Sequence, residues 1–232
     1  MPHLGETIRA AVLDSPNAPP RVVTFGTPTL APGSALLRTS YSEVCGTDVH
    51  IWRGRMPGVP FPIIPGHVSV GVLAAVSGKL LDIHGNRFKE GDLVTFLDVH
   101  GTCNNCWYCL VAKQTTRCPH RRVYGITFGV DDGLLGGWSE AILMKPGVRM
   151  IRIPSGLRPE TFIGGGCGLV TAVHVMDRAD VQLGQTVVVL GVGPVGQSII
   201  ALSAQAGAGQ VIGIGEPVDR LAYSKRMGAT HV

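Results

Sequence analysis

The sequence predicts a β-barrel followed by a parallel α/β unit. Three observations carry that reading. The first half is a series of short β-rich runs punctuated by Gly and Pro. The rhythm changes near residues 154–162, where helical spacing sets in. A glycine-rich turn then joins an apolar strand to a helix.

In the first half, Ile8–Leu13, Arg21–Phe25, Ser34–Tyr41, Val68–Val76 and Asp92–Leu97 are rich in Val, Ile, Leu and Thr. Pro16, Pro19-Pro20, Pro32-Gly33 and Gly91 mark turns between them, so a closed or partly closed barrel is expected. In the second half, Leu169–Ala179 has the spacing of a helix. Thr186–Leu190 reads as a strand, Pro194–Ala206 as a helix, Val211–Ile214 as a strand and Pro217–Met227 as a helix with Pro217 at its start. Strand, helix, strand, helix at this spacing is half of a doubly wound parallel sheet, so a longer natural protein is expected. The predicted domains are residues 1–160, with a cysteine lobe at about 100–120, and residues 161–232.

The chain has 232 residues, 45% of them hydrophobic and 16% charged, enough to bury a sizeable core. The net charge of +4 comes with no long basic run, which argues against nucleic-acid binding. Residues 1–10 carry Glu6 and Arg9 and no apolar leader core, and every apolar stretch is broken by Gly, Pro or charge. No membrane span and a cytoplasmic location are expected. Six cysteines in such a chain read as metal ligands before disulfides.

All six fall into two groups. Cys103, Cys106, Cys109 and Cys118 form a local cluster whose four thiolates can close a tetrahedral shell, which is a structural zinc site. An iron–sulfur cluster is the alternative. Cys45, His67 and Cys167 are dispersed and make a three-ligand set, which leaves a fourth position open for water or substrate. His3, His84, His120, His174 and His231 lack such company and read as structural or solvated. Gly191-Val192-Gly193-Pro194-Val195-Gly196 is G-x-G-x-x-G between a strand and a helix, the pattern that admits a dinucleotide pyrophosphate. At the end of the next strand, Glu216 suits ribose hydroxyls and repels a 2′-phosphate, whereas Arg220 attracts one; NAD is favoured over NADP.

With these motifs in order (Cys45–His50, Pro65–His67, the cysteine lobe, Gly166–Gly168 and the glycine loop), the chain resembles the zinc-dependent medium-chain dehydrogenases/reductases of the alcohol dehydrogenase type. The resemblance implies a GroES-like catalytic domain followed by part of a Rossmann domain, with one catalytic and one structural zinc. It implies that Cys45, His67 and Cys167 hold the catalytic ion. It further implies that Thr47 touches the substrate oxygen, His50 ends a proton relay and Asp48 orients His67. The implied reaction moves hydride between a small alcohol, or its carbonyl product, and a nicotinamide. A homo-oligomer is implied for the full-length form. Two departures stand out: Val68 replaces the family's usual Glu, and the last lobe gap is one residue longer than usual. Asp98, Val99 and His100 near the pocket, with Trp52 and Arg53 after the relay histidine, suggest a polar alcohol or polyol. The rival readings are a zinc-free enone or quinone reductase of the same superfamily and a non-catalytic zinc-binding module.

Overall fold

The computed structural model describes residues 5–232. The expectations for residues 1–4, His3 and the first part of the leader reading among them, lie outside the described residues. Contacts divide the chain into a unit ending at Ile163 and a second unit spanning Gly164–Val232.

The first unit begins with β1 (Thr7–Val12) and β2 (Arg21–Gly26), an antiparallel ribbon in which Thr7 faces Gly26 and Val12 faces Arg21. β3 (Ala35–Ser42) is followed by α1 (Gly46–Trp52), then β4 (Ser69–Val76), β5 (Leu93–Phe96) and β6 (Val99–Gly101). The short helix α2 (Trp107–Leu110) and a 3₁₀ turn at Thr115–Arg117 lead to β7 (Arg122–Val123). β8 (Ala141–Met144) and β9 (Met150–Arg152) complete the unit's strands.

Five strands form one antiparallel sheet in the order β8-β3-β4-β5-β9. The two-residue alternation of β-strands explains how it serves two cores. Ala35 and Leu37 of β3 face one core with Leu73, Val94, Tyr124 and Ile142. Leu36, between them, faces a second core with Ile8, Ala10 and Val12 of β1 and with Ala141. The ribbon is tied to the sheet's margin by an Ala10–Ser139 bridge and by the Ala11 N–H donating to the Trp138 carbonyl. The barrel is thus partly closed, as a sheet with a ribbon laid against it.

Two local features differ from the sequence reading. α1 was not expected, because only seven residues carry it and its start is capped by a cysteine. The linking helix α3 spans Pro159–Ala179, ten residues earlier than its expected start at Leu169. The run Gly164-Gly165-Gly166 masks the helical pattern, and Gly166 (φ 48°, ψ −153°) breaks the helix into two stretches. Cys167 therefore lies inside α3, just past the break, and not ahead of the helix.

In the second unit, β10 (Thr186–Leu190), α4 (Pro194–Gln205), β11 (Gln210–Ile214) and α5 (Val218–Arg226) alternate. β10 and β11 pair in parallel, and His231 makes a further parallel bridge to Ile212. Val189, Val192, Ile200, Val211 and Ala229 fill the core between strands and helices. Pro217 is the N-cap of α5, one position ahead of the helix proper. Among the described residues, no helix is long and apolar enough to cross a membrane.

Candidate metal centres and cofactor loop

The antiparallel pair β6–β7 makes the neck of the cysteine lobe, with Val99 opposite Val123 and Gly101 opposite Arg122. Cys106 is the N-cap of α2, Cys109 sits within that helix, and Cys118 caps the 3₁₀ turn. These turns gather the four sulfurs with Cys103, all within 4.8 Å of one another. Cys106 and Cys109 Sγ are 3.6 Å apart, and Cys103 and Cys118 Sγ 3.5 Å. A disulfide needs about 2.05 Å. Four sulfurs at about 2.3 Å around a tetrahedral ion stand about 3.7 Å apart. The donor set therefore fits zinc, and none of the six cysteines is in a disulfide. Burial and the neighbouring thiols push Cys109 up to about 12, so four thiolates here require a compensating cation.

The second set begins at the N-terminus of α1. Cys45 is the N-cap: its sulfur accepts the Thr47 N–H at 3.2 Å, while Asp48 Oδ2 accepts the Cys45 N–H at 2.8 Å. This is a reciprocal capping box in which a thiol takes the place of the usual hydroxyl. Ile51, fully buried against Leu13 and Ile63, anchors the helix from below. Asp48 is buried too, and its Oδ1 accepts the Gly66 N–H at 3.2 Å, which ties the loop carrying His67 to α1.

That tie brings His67 Nε2 to 3.5 Å from Cys45 Sγ, with His67 Nδ1 3.9 Å from Asp48 Oδ1. A tetrahedral ion holding a sulfur at about 2.3 Å and an imidazole nitrogen at about 2.0 Å sets those atoms about 3.5 Å apart. The residues fit the group, and the far ring nitrogen faces a carboxylate, as metal-binding histidines usually arrange. Burial alone would raise the Cys45 thiol, but hydrogen bonding with His67 and Thr47 outweighs it and holds the thiol below its ordinary value. Thr47 stands one turn-step from Cys45 and is partly exposed; His50 is exposed on the same helix. Cys167 belongs to the second unit.

The residues suggested for substrate polarity divide. Trp52 donates its indole N–H to the Ala18 carbonyl at 2.8 Å, and Arg53 is the C-cap of α1. His100 is seated against Tyr124 and Phe128, with Nε2 3.1 Å from the Pro146 carbonyl oxygen. These three serve the fold locally. Asp98 differs: burial raises its carboxyl above the ordinary range, and the positive charges of His67 and Arg121 offset only part of that. Sequence reasoning did not find the Asp48–Gly66 tie. The sequence signals only its local half, the reciprocal cap, through an acidic residue at the third helical position after the N-cap.

The glycine loop fits a dinucleotide's backbone approach. Gly191 has φ 96°, a left-handed conformation that favours glycine, and its N–H donates to the Ile214 carbonyl at 2.8 Å. A Cβ on Gly196 would stand 1.8 Å from the Gly191 carbonyl oxygen, so only glycine allows this close packing of strand and helix. Gly193 is the N-cap of α4 and Pro194 its first residue, followed by Val195. Glu216 follows β11 and is exposed, as is Arg220 in the first turn of α5.

Residues 31–155, more than half the chain, match the family described as the alcohol dehydrogenase GroES-like domain. The chain belongs to the medium-chain zinc alcohol dehydrogenase family. It is 34% identical over 231 residues to a 5-exo-hydroxycamphor dehydrogenase of Pseudomonas putida, covering 96% of this chain and 60% of that protein. An alcohol dehydrogenase structure from Thermotoga maritima superposes with a TM-score of 0.92 at 33% identity, over 98% of this chain and 63% of that one. A zinc-binding dehydrogenase from Sinorhizobium meliloti, solved with NADP, gives a TM-score of 0.82 at 25% identity, over 98% and 61%. The chain thus spans about 60% of the length of these relatives.

Proposed function

We propose that the protein is a zinc-dependent oxidoreductase that transfers hydride between an alcohol and a nicotinamide cofactor, with two zinc ions per chain. The observation that carries this is the Cys45–His67 pair, set at metal-ligand separation with Asp48 behind it. By its place in the Gly166–Gly168 motif, Cys167 is the third ligand of this reading. Two thiolates and one imidazole leave a coordination position open, the arrangement of catalytic zinc; the four-cysteine lobe leaves none, the arrangement of structural zinc. Val68 offers no donor in place of the carboxylate usual there, so the ligand set remains these three.

When bound, zinc supplies Lewis acidity to an alcohol oxygen and the nicotinamide supplies a hydride acceptor. The chain's own residues do the rest. Asp48 holds His67 by charge and, through the Gly66 N–H, by the backbone that carries it. The Thr47 hydroxyl, at the partly exposed start of α1, would accept the alcohol proton as it releases its own, and the exposed His50 imidazole would deliver a proton to solvent. The half-buried Asp98 carboxyl supports a polar alcohol or polyol as substrate, because a polar group there disfavours a wholly apolar one. Glu216 supports NAD, since a carboxylate beside the adenosine ribose accepts its hydroxyl protons and repels a 2′-phosphate.

The test is metal content and turnover measured on one preparation of the full-length protein. Two zinc ions per chain and alcohol-dependent reduction of NAD, faster with polyols than with aliphatic alcohols, are expected. Full zinc occupancy without alcohol-dependent reduction of NAD or NADP would overturn the reading. Equal turnover after the catalytic ion is removed would favour an enone or quinone reductase. Best turnover on simple aliphatic alcohols would remove the polar-substrate part.

A further inference from the structure

We propose that Trp138 is a positioning residue for the Cys45–His67 pair, joining the segment that carries one ligand to the segment that carries the other; the inference rests on the zinc reading of that pair. Both ligands lie just beyond the ends of neighbouring strands. Ser42, which ends β3, pairs with Ser69, which begins β4. Cys45 lies three residues past the first and His67 two residues ahead of the second. The pairing continues for one more step, where the Glu43 N–H donates to the Val68 carbonyl at 3.0 Å. Beyond it the two arms part, and Asp48 of α1 supplies one hold on both.

The segment Gly137-Trp138, ahead of β8, supplies the second hold. The Gly137 N–H donates to the Gly66 carbonyl at 2.7 Å, and the Trp138 N–H to the Pro65 carbonyl at 3.0 Å. Gly66, next to His67, thus has its N–H on Asp48 and its carbonyl on Gly137. The indole reaches the other arm: its Nε1–H donates to the Glu43 carbonyl at 3.4 Å, two residues ahead of Cys45. The same ring closes on Gly66, where a Cβ would stand 2.7 Å from Trp138 Cδ1 and 2.9 Å from Ser42 Oγ. Gly66 also has φ 92°, so glycine alone suits both the turn and the ring. Trp138 is itself anchored. Its carbonyl accepts the Ala11 N–H of β1 at 2.8 Å, and its side chain packs against the second core.

The backbone bonds of residue 138 survive a change of side chain, so substitution isolates what the indole adds. That is one ring packed on Gly66 and one hydrogen bond to Glu43. At 3.4 Å the bond is long and weak, so the packing is the larger part. A shift of Gly66 or of Glu43 is passed along one or two residues to the ligand. His67 Nε2 and Cys45 Sγ stand 3.5 Å apart, and a metal site tolerates only about 0.2 Å of error in its ligand distances. Trp138 therefore acts through the two arms, by keeping that separation.

The test is zinc affinity by chelator competition, the visible spectrum with cobalt in place of zinc, and melting temperature, all on the full-length protein. Trp138→Leu removes both side-chain contacts. Zinc affinity at the Cys45 site should fall about tenfold, the lower end of what groups supporting metal ligands contribute, while the lobe keeps its ion. The cobalt bands of the Cys45 site should shift and those of the lobe should not. Trp138→Phe keeps a ring for Gly66 and loses only the Glu43 hydrogen bond, so it should recover most of the affinity. Phe25→Leu, a substitution in the same core but on β2, should lower the melting temperature while leaving zinc affinity and cobalt bands unchanged. Trp138→Leu that melts earlier yet keeps the affinity and bands of the Cys45 site would overturn the proposal. So would Phe25→Leu that alters that site to the same extent, since the effect would then be one of the core as a whole. If the unaltered protein takes up metal in the lobe alone, the zinc reading of the Cys45–His67 pair fails first and this inference falls with it.

Discussion

The cysteine lobe and the Cys45–His67 pair reach similar donor separations by opposite routes. The lobe's outermost sulfurs are 15 positions apart and belong to one loop; Cys45 and His67 are 22 positions apart and belong to two separately anchored segments. The lobe has little core of its own. Trp107, Leu110 and Val111 are 62%, 54% and 65% exposed, so apolar burial contributes little to its closure. The Cys45 site rests on Ile51, Leu13 and Ile63, fully packed, and on a capped helix. An ion in the lobe holds the chain together, whereas an ion at Cys45 is held by a chain that is already folded.

The strongest way to break that comparison is a matched pair of substitutions. Cys118→Ser should release one zinc and melt the lobe between its β6–β7 neck. The local stability there should fall by more than about 5 kcal/mol, a fraction of what structural zinc contributes in small zinc-folded peptides. Hydrogen exchange across residues 102–121 reads this directly. Cys45→Ser should also release one zinc, yet leave exchange and melting almost unchanged. Serine is a preferred N-cap and can accept the Thr47 N–H in place of the sulfur. Alcohol oxidation by that variant should fall by about a thousandfold or more, since the Lewis acid is lost. Equal melting penalties for the two variants would refute the contrast.

Asp48→Asn sharpens the same contrast with a smaller effect. Asparagine keeps one acceptor, enough for the Cys45 or the Gly66 N–H but not both, and removes the charge that faces His67. Zinc affinity at the Cys45 site should fall by about 10–100-fold, while the lobe keeps its ion. Competition with a chelator, with zinc release followed in two phases, measures both sites in one experiment. A loss from both phases would show that Asp48 supports the fold generally and not the one site.

The two regions also differed in how far the sequence revealed them. The lobe is legible because its ligands and its structure share one short stretch, so spacing alone encodes the site. The dispersed set is legible as residue types in motifs, but the tie that makes it a site, Asp48 to the Gly66 N–H, joins loops no local pattern relates. Strands with long runs rich in Val, Ile, Leu and Thr were foreseen to within a residue or two: β1, β3, β4 and β10 among them. Elements whose pattern is short or interrupted were not. α1 has only seven residues, β6 and β7 have three and two, and α3 opens through three glycines. Trp52 and His100 were suggested as pocket-lining groups from position alone, and their hydrogen bonds to Ala18 and Pro146 assign them to the scaffold. Sequence position names a neighbourhood; which way a polar side chain turns is decided by the nearest unsatisfied carbonyl.

A third way of closing a loop calibrates the other two. The segment between β4 and β5 is closed without thiols, by backbone hydrogen bonds and the buried Phe88 and by an arginine that stitches it through charge. Arg152 pairs with Asp82 through Nη1, and its Nη2 donates to Asp92 Oδ2 at 2.9 Å and to the Arg87 carbonyl at 2.7 Å. Its guanidinium also lies 4.4 Å from the centre of the Phe88 ring. Arg152→Leu should lower the melting temperature by roughly 3–6 °C, between the lobe cysteine and Cys45 in effect, and chelators should not change the difference. Its pH dependence has a definite sign. Burial works to raise the Asp82 carboxyl, but the Asn86 and His84 N–H groups and Arg152 together hold it below the ordinary range. A carboxyl lowered by folding stabilises the folded state above its unfolded value of about 3.9 and loses that contribution as pH falls through its folded value. The gap in melting temperature between the unaltered protein and Arg152→Leu should therefore be full at pH 7 and narrow below about pH 4, as the Asp82 carboxylate takes up its proton. A gap that persisted undiminished at low pH would mean that Arg152 acts by packing its stem on Phe88, and the charge-stitched loop would no longer serve as the metal-free reference for the lobe.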